Sequence, residues 1–260
     1  MKENFKPLKD RWRVNPEIIK LKSAYDRVDI NGFRTIEKKM VGGEIWHKVK
    51  GWGDAPFDVL FNPDKQQWLK IVPPDAKAYE KNRKLLSEGA KMVRISLATS
   101  GLLNYAEKVE ECNVKIDGNS TVGFKTNHLG PTQDFIIRQL SKSKTGVDPE
   151  TEKSLSSVSI EAFNLAAVLY VEHGIWTADP NLGNIVLNFD DLENVKVTLI
   201  DFEKPPQYRK VNRNGFSDLF KLFKNEAEKS GISISSDHEG ILDVDTLFSK
   251  VKNGRQRVKE

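Results

Sequence analysis

Short runs of apolar and β-branched residues, separated by turn formers, dominate the first half of the chain. Beginning at Glu44, the runs EIWHKVKGWG, FDVLFNP and WLKIV are rich in Val, Ile, Trp and Phe and are bounded by Gly, Asp and Pro. This texture predicts three antiparallel strands joined by hairpins. The runs CNVKID and TVGFKTNH, separated by the turn sequence Asp117-Gly118-Asn119, predict two more strands.

Most of the remaining segments have helical spacing. One helix is predicted between the two groups of strands, in DAKAYEKNRKLLSEGAKMVRISLATSGL, and a short one in TQDFIIRQL, which the polar loop SKSKTGVDPETEKSLSS follows. The clearest helix covers about residues 156–173, where apolar residues form a core-facing stripe and Gly174 follows at the position of a C-cap. Further helices are predicted at residues 15–26, after a capping Ser217, and at residues 244–251.

This order of elements predicts an α+β fold with two unequal lobes, a small β-rich N-lobe with one helix and a reduced, mostly helical C-lobe. The 260 residues are 38% hydrophobic and 30% charged, as in globular proteins. The longest apolar run, around FNLAAVLYV, is too short to span a bilayer, and the polar start MKENFKPLKDRW predicts no secretory signal. With Cys112 as the one cysteine, a reducing, cytoplasmic location is expected.

The net charge of +4 is mild, and the basic residues gather at the two ends without interleaved aromatic residues. A nucleic-acid partner is therefore disfavoured, with only the charged termini to support it.

Acidic residues stand at the edges of two apolar strands in the second half of the chain. Asp179 lies in HGIWTADPNLGN, five positions before Asn184, and Asp201 ends the apolar run of VTLIDFE. On one interpretation, Asp179-Pro180 and the Asn and Gly residues around it only form turns. On the other, two carboxylates and an amide hold a metal ion and a phosphate.

In order and spacing, these motifs resemble those of the protein kinase superfamily. HGIWTAD stands where kinases have a helix-ending Gly, an apolar pair and the His-Arg-Asp triplet, and IDFE stands at the Asp-Phe-Gly motif. The five-residue step from Asp179 to Asn184 is that of the kinase catalytic loop. The resemblance covers about residues 44–230. It implies that Asp179 orients or deprotonates the acceptor hydroxyl and that Asn184 and Asp201 bind Mg²⁺.

The resemblance assigns the ATP phosphates to the first half of the chain. Lys70 in WLKIV matches the strand lysine that neutralises the α- and β-phosphates. Glu88, eighteen positions later on the predicted helix, matches the acid that forms an ion pair with this lysine. Glu80 is the competing choice for this acid.

The same resemblance implies two further nucleotide contacts. KGWGDAP is similar to a reduced glycine-rich loop, with Gly51 and Gly53 present and Pro56 where a third glycine is expected. Residues 126–130, which include His128, correspond to the hinge that contacts adenine through backbone groups.

Several positions depart from the kinase pattern. Thr177 and Ala178 replace the His and Arg of the triplet, which argues against control by a phosphorylated activation loop. Asn181 replaces the lysine of serine/threonine kinases, and Glu203 replaces the glycine of the Asp-Phe-Gly motif. Only KPPQYRKVNRNGF precedes the next predicted helix, so there is no room for a long activation segment. The chain thus resembles the minimal kinases that some bacteria deliver into host cells, or atypical families such as the RIO-like kinases.

Together these features predict an ATP- and Mg²⁺-dependent phosphotransferase. The predicted units are an N-terminal extension at residues 1–43, an N-lobe at 44–130 and a C-lobe at 131–260. The predicted partner is a protein substrate phosphorylated on serine or threonine, in the cytoplasm or, for an effector, inside a host cell. The open alternatives are a small-molecule or lipid-headgroup acceptor, transfer of AMP, and an inactive kinase fold that binds nucleotide or protein.

Overall fold

A computed structural model describes residues 35–49, 57–72, 79–105, 108–116, 118–142, 149–176, 181–188, 196–200 and 207–234, together with residues 241, 243–245 and 247–249. The predicted helix at residues 15–26 lies outside them. The described part combines a six-stranded N-terminal sheet with a helical part, which confirms the mixed α and β content. The division into two lobes and the predicted domain boundaries stay predictions.

The N-terminal sheet is built from six antiparallel strands. They are β1 (Thr35–Val41), β2 (Glu44–Val49), β3 (Asp58–Asn62), β4 (Gln67–Ile71), β5 (Glu110–Ile116) and β6 (Asn119–Asn127). Their order is β1-β2-β3-β4-β6-β5, and pairing of Val41 with Ile116 closes the sheet into a barrel. The pairing between β1 and β5 is limited to these two residues.

Glycines in the left-handed region form two of the hairpins. Gly42 and Gly43 have φ angles of 58° and 84° between β1 and β2, and Gly118 has a φ of 85° between β5 and β6. Side chains with a Cβ atom rarely adopt such angles, so glycine is favoured at these positions. The hairpin predicted at residues 117–119 is confirmed.

The barrel interior is apolar, with an ionic group beside it. Its buried hydrophobic residues are Val41, Trp46, Leu60, Leu69, Ile71 and Ile116. Lys48 Nζ lies 2.8 Å from an Asp58 carboxylate oxygen and 3.5 Å from Glu37. The hydrogen bond to Asp58 is the main reason that the pKa of Lys48 is raised.

Strand β1 was not predicted, because the first strand was expected at Glu44. In β1 only Val41 is buried, and Ile36 and Met40 are more than half exposed. Glu37 lies 3.5 Å from both Lys39 and Lys48. The strand is therefore stabilised by backbone pairing and ion pairs rather than by an apolar face, which removes the alternation on which a strand prediction depends.

The helical part is centred on one long buried helix. The described α-helices are α1 (Tyr79–Thr99), α2 (Gln133–Lys142), α3 (Pro149–His173) and α4 (Arg213–Lys229). Every residue from 158 to 171 in α3 is buried, so this helix is surrounded by protein on all sides. The segment Thr151–His173 is long and apolar enough to cross a membrane by length and composition, but 94% of its apolar window is buried in the protein. Its burial is that of a core helix.

Helix α3 begins at Pro149, earlier than the predicted start at about Ser156, so the loop prediction is wrong over residues 149–155. Proline suits the first helical position because its missing N–H has no partner there. Ser156 is buried, and its hydroxyl donates to the carbonyl oxygens of Glu152 and Ser233, at 2.9 Å each. Polar side chains buried in this way do not produce the apolar spacing that predicts a helix.

Aromatic side chains join α3 to α4. Phe163 makes edge-to-face contacts with Phe216, Phe220 and Phe223, at centroid distances of 5.4, 5.2 and 5.9 Å. The predicted start of α4 after Ser217 is wrong, because the helix begins at Arg213 with Asn212 as its N-cap.

Candidate active site

A hairpin in the second half of the chain places Asn184 beside the residue that precedes Asp201. The strands β8 (Ile185–Asn188) and β9 (Lys196–Leu199) pair antiparallel, with Ile185 opposite Leu199. The backbone N–H of Ile200 donates to the carbonyl oxygen of Asn184 at 2.9 Å. Asn184 and the chain that leads into Asp201 are therefore neighbours.

The segments at the other ends of the two predicted catalytic loops are also paired with each other. The short strands β7 (Ile175–Trp176) and β10 (Gln207–Tyr208) pair antiparallel, with Trp176 opposite Gln207. Residues 177–180 follow Trp176, and residues 201–206 connect Ile200 to Gln207. Both loops are thus bounded by segments that hydrogen-bond to each other, which is the topology that the sequence motifs require.

The backbone of Asn184 is fixed by the 3-10 turn at Leu182–Asn184. Its N–H donates to the carbonyl oxygen of Asn181 at 2.8 Å, and the Asn181 side-chain oxygen accepts from the Gly183 N–H at 2.8 Å. The turn-forming interpretation is therefore confirmed for Asn181. This residue, which stands where serine/threonine kinases have a lysine, stabilises the turn.

Gly174 ends α3 in the left-handed conformation, as predicted, with a φ of 70°. Its N–H donates to the Tyr170 carbonyl at 2.9 Å, and its own carbonyl accepts from the Arg209 N–H at 3.0 Å. The second bond ties the end of α3 to the segment that follows β10.

Lys70 lies in the middle of β4, between Val59 of β3 and Phe124 of β6. Its Nζ atom is 5.9 Å from the centre of the Phe57 ring, within the range of a cation–π contact. The side chain is partly buried. Lys70 therefore lies on a strand that is paired on both sides.

Glu88 forms a different ion pair from the one predicted. Its side chain is 60% exposed and lies 3.7 Å from Lys84, one turn earlier in α1. The competing Glu80 is 80% exposed and lies 3.9 Å from Arg83. Neither acid pairs with Lys70 among the described contacts, and each lies instead near a basic residue on its own helix. The roles of Glu88 and Lys70 at a nucleotide site stay predictions.

His128 follows the end of β6 and is bonded to the β3–β4 turn. Its backbone N–H donates to the Gln66 carbonyl at 2.8 Å. The Trp68 indole N–H points to His128 Nδ1 at the long distance of 3.5 Å, and the Trp68 ring lies 4.5 Å from Phe61. The ring Nε2 of His128 is buried. The role of His128 at adenine stays a prediction.

The predicted hinge continues into a segment that packs beside the hairpin. The N–H of Leu187 donates to the Pro131 carbonyl at 3.0 Å, and Thr132 forms a bridge with Val186. The chain leaving β6 therefore runs next to β8, close in sequence to Asn184.

Four predicted site residues lie outside the described residues: Asp179, Asp201, Gly51 and Gly53. Their roles stay predictions. In the part of the chain that the structure describes, no three His, Cys, Asp or Glu residues are grouped as a metal site.

A polar cluster joining the ends of α1 and α3 has no signal in the sequence. The Ser100 hydroxyl donates to Glu172 at 2.7 Å and lies 2.8 Å from His173 Nε2. Burial lowers the pKa of His173, although Glu172 opposes this shift. Because Glu172 contacts the serine rather than the second histidine nitrogen, the cluster is not a nucleophile–base–acid relay.

No protein-family model and no curated protein matches the chain. Among solved structures, the chain is similar to vaccinia related kinase 3, with 15% identity, a TM-score of 0.40, and coverage of 66% of this chain and 53% of that one. WaaP in complex with acyl carrier protein has 12% identity, a TM-score of 0.47 and coverage of 98% of both chains. The ROP18 kinase domain in complex with AMP-PNP and sucrose has 11% identity, a TM-score of 0.43, and coverage of 95% of this chain and 92% of that one.

The chain spans about half the length of vaccinia related kinase 3. At these identities and TM-scores, the similarities carry no information on activity, substrate or ligands. Solved kinase structures are among those to which the chain is similar. The protein kinase-like fold that the motifs suggest stays a prediction.

Proposed function

We propose that the chain is an ATP- and Mg²⁺-dependent phosphotransferase that phosphorylates serine or threonine in a protein. The observation that carries this proposal is the hydrogen bond from the Ile200 N–H to the Asn184 carbonyl. It keeps the Asn184 backbone adjacent to the chain that enters Asp201. The amide oxygen of Asn184 and the carboxylate of Asp201 are hard oxygen donors, which are the ligand type that Mg²⁺ prefers.

In this proposal Asp179 acts on the acceptor. Its carboxylate accepts the proton of the attacking hydroxyl as the new O–P bond forms and the bond from the γ-phosphorus to the ADP oxygen breaks. Bound Mg²⁺ neutralises charge on the phosphates. Lys70 contributes a further positive charge for the α- and β-phosphates from its position on β4.

Two contacts differ from those expected of a serine/threonine protein kinase. Glu88 would have to leave Lys84 to pair with Lys70, so this ion pair requires a rearrangement of the α1 side chains. The Asn181 side chain is neutral and accepts a hydrogen bond within its own turn. It therefore does not supply the positive charge that a lysine provides at this position in serine/threonine kinases. A small-molecule or lipid-headgroup acceptor is thus the rival to a protein acceptor.

The present pairing of Glu88 also favours one alternative from another class, a kinase fold that binds nucleotide without turnover. In such a module the purified chain would be stabilised by ATP and Mg²⁺ but would transfer nothing.

One assay separates these functions. Purified chain is incubated with Mg²⁺ and ATP labelled at either the γ- or the α-phosphate, with casein as a general protein acceptor. We expect transfer of the γ-label to casein and its loss in Asp201→Asn. Transfer of the α-label alone would indicate nucleotidyl transfer, and thermal stabilisation by ATP without any transfer would indicate the binding module.

A further inference from the structure

The segment after β10 carries a concentration of positive charge. Residues 204–213 include four basic residues and no acidic one. Of the basic residues that the structure describes here, Arg213 is paired with Asp245. Arg209 and Lys210 are exposed, and Lys210 forms no ion pair within the described part of the chain.

The backbone under these two side chains is fixed at three points. The Arg209 N–H donates to the Gly174 carbonyl at 3.0 Å. The Tyr170 hydroxyl donates to the Lys210 carbonyl at 2.9 Å and accepts from the Asn212 N–H at 3.1 Å. Tyr170 is only 1% exposed, so these bonds are made from inside the core. A ligand that binds here would meet a largely preorganised surface.

The arginine also contacts the last described residue before the proposed acceptor loop. Its guanidinium lies 4.2 Å from the centre of the Trp176 ring, in a cation–π contact. Trp176 precedes Asp179 by three residues in the sequence. The charge of Arg209 is thus beside the segment that leads to the proposed base.

We propose that Arg209 and Lys210 bind acidic residues of the substrate, so that the acceptor is a serine or threonine in an acidic peptide segment. This inference rests on the function proposed above and names its substrate class.

A nucleic acid is the less suitable partner for this surface. Binding of single strands depends on exposed aromatic rings on which bases stack. Trp176 is 4% exposed, and Arg209 covers its ring. Trp176, the aromatic residue described at this surface, therefore offers no exposed ring on which a base could stack.

Peptide binding tests the inference separately from catalysis. Fluorescein-labelled peptides with one serine, flanked by either four Glu or four Gln residues, are titrated with the full chain, and fluorescence anisotropy is recorded at low and high salt. The wild type is expected to bind the Glu peptide about tenfold more tightly than the Gln peptide, as two partly exposed ion pairs allow. High salt should reduce the difference.

The variant Arg209→Met/Lys210→Met should abolish this preference, because methionine keeps an aliphatic chain over Trp176 and removes the charge. The control Lys115→Met/Lys153→Met removes two charges from exposed lysines elsewhere and should keep the preference. Equal binding of both peptides by the wild type would overturn the inference, as would a preference that survives in the Met variant. So would tighter binding of an RNA oligonucleotide that the Met variant loses.

The γ-label assay on the same peptides keeps the two proposals distinguishable. Equal binding of both peptides and equal rates of their phosphorylation would support the kinase proposal and contradict the proposal of an acidic substrate. Selective binding of the Glu peptide without any transfer would remove the kinase proposal and leave the acidic partner.

Discussion

Replacement of Asp179 by Asn is expected to lower the rate of γ-phosphoryl transfer by about 10²- to 10⁴-fold, the usual contribution of a general base. The amide has nearly the same shape as the carboxylate but cannot accept the proton of the acceptor hydroxyl. Because Asp179 is not proposed to hold the nucleotide, ATP should bind the variant with nearly unchanged affinity. Steady-state rates and calorimetric titration with ATP measure the two quantities.

The matched control is Asp64→Asn, the same chemical change in the β3–β4 turn. It should keep the wild-type rate. A rate for Asp179→Asn within about threefold of the wild type would contradict the role of this residue as a base.

Replacement of Gly215 by Ala is expected to destabilise the protein by about 1–3 kcal/mol, the usual cost of overpacking a core. A Cβ atom at this position would overlap the Tyr170 hydroxyl oxygen and lie 2.7 Å from Cζ of that ring. Tyr170 cannot easily withdraw, because it is buried and its hydroxyl bonds to Lys210 and Asn212. Urea denaturation gives the change in the free energy of unfolding.

The exposed neighbour Asn214→Ala is the control and should change stability little. The double variant Gly215→Ala/Tyr170→Phe should lose less stability than the sum of the two single variants, because the first change loses its steric partner. If the two losses of stability add strictly, the close approach of Gly215 to Tyr170 is not the reason that Gly215→Ala destabilises the protein.

The apolar pattern predicts the sheet well where strands have a buried face. Strands β2 to β5 contain Trp46, Leu60, Leu69 and Ile116 inside the barrel, and the positions of these strands follow from local composition. Strand β1 has one buried residue, and its neighbours in space, β2 and β5, supply its stability. The stability of such a strand depends on pairing with segments that are distant in sequence, and the local apolar pattern carries no information on this pairing.

Helix ends were predicted less well than helix centres. Near the starts of α3 and α4, polar side chains bond to backbone groups, as Ser156 does to Ser233 and Asn212 to Gly215. These contacts stabilise helical structure without an apolar stripe. Gly174, by contrast, was predictable because a left-handed C-cap favours one residue type.

At the candidate site, local motifs predict the contacts between segments that are close in sequence. A hairpin between Asn184 and Asp201 follows from two apolar runs, and its formation brings Asn184 to Ile200. The partner of Glu88 could not be predicted in this way, since it depends on which face of α1 carries the side chain and on the nearby Lys84. The contact of Ser100 with His173 joins residues 73 positions apart and has no local signal.

The central claim is that Asn184 and Asp201 bind one divalent cation together with ATP, and electron paramagnetic resonance of Mn²⁺ tests it most directly. With a non-hydrolysable ATP analogue present, the signal of free Mn²⁺ is followed in titrations of the wild type, Asn184→Ala, Asp201→Asn and Asp179→Asn. The account predicts that the wild type and Asp179→Asn bind Mn²⁺ with similar affinity, and that each of the other two variants loses about tenfold or more. Unchanged Mn²⁺ affinity in both Asn184→Ala and Asp201→Asn, or no nucleotide-dependent Mn²⁺ binding by the wild type, would contradict it.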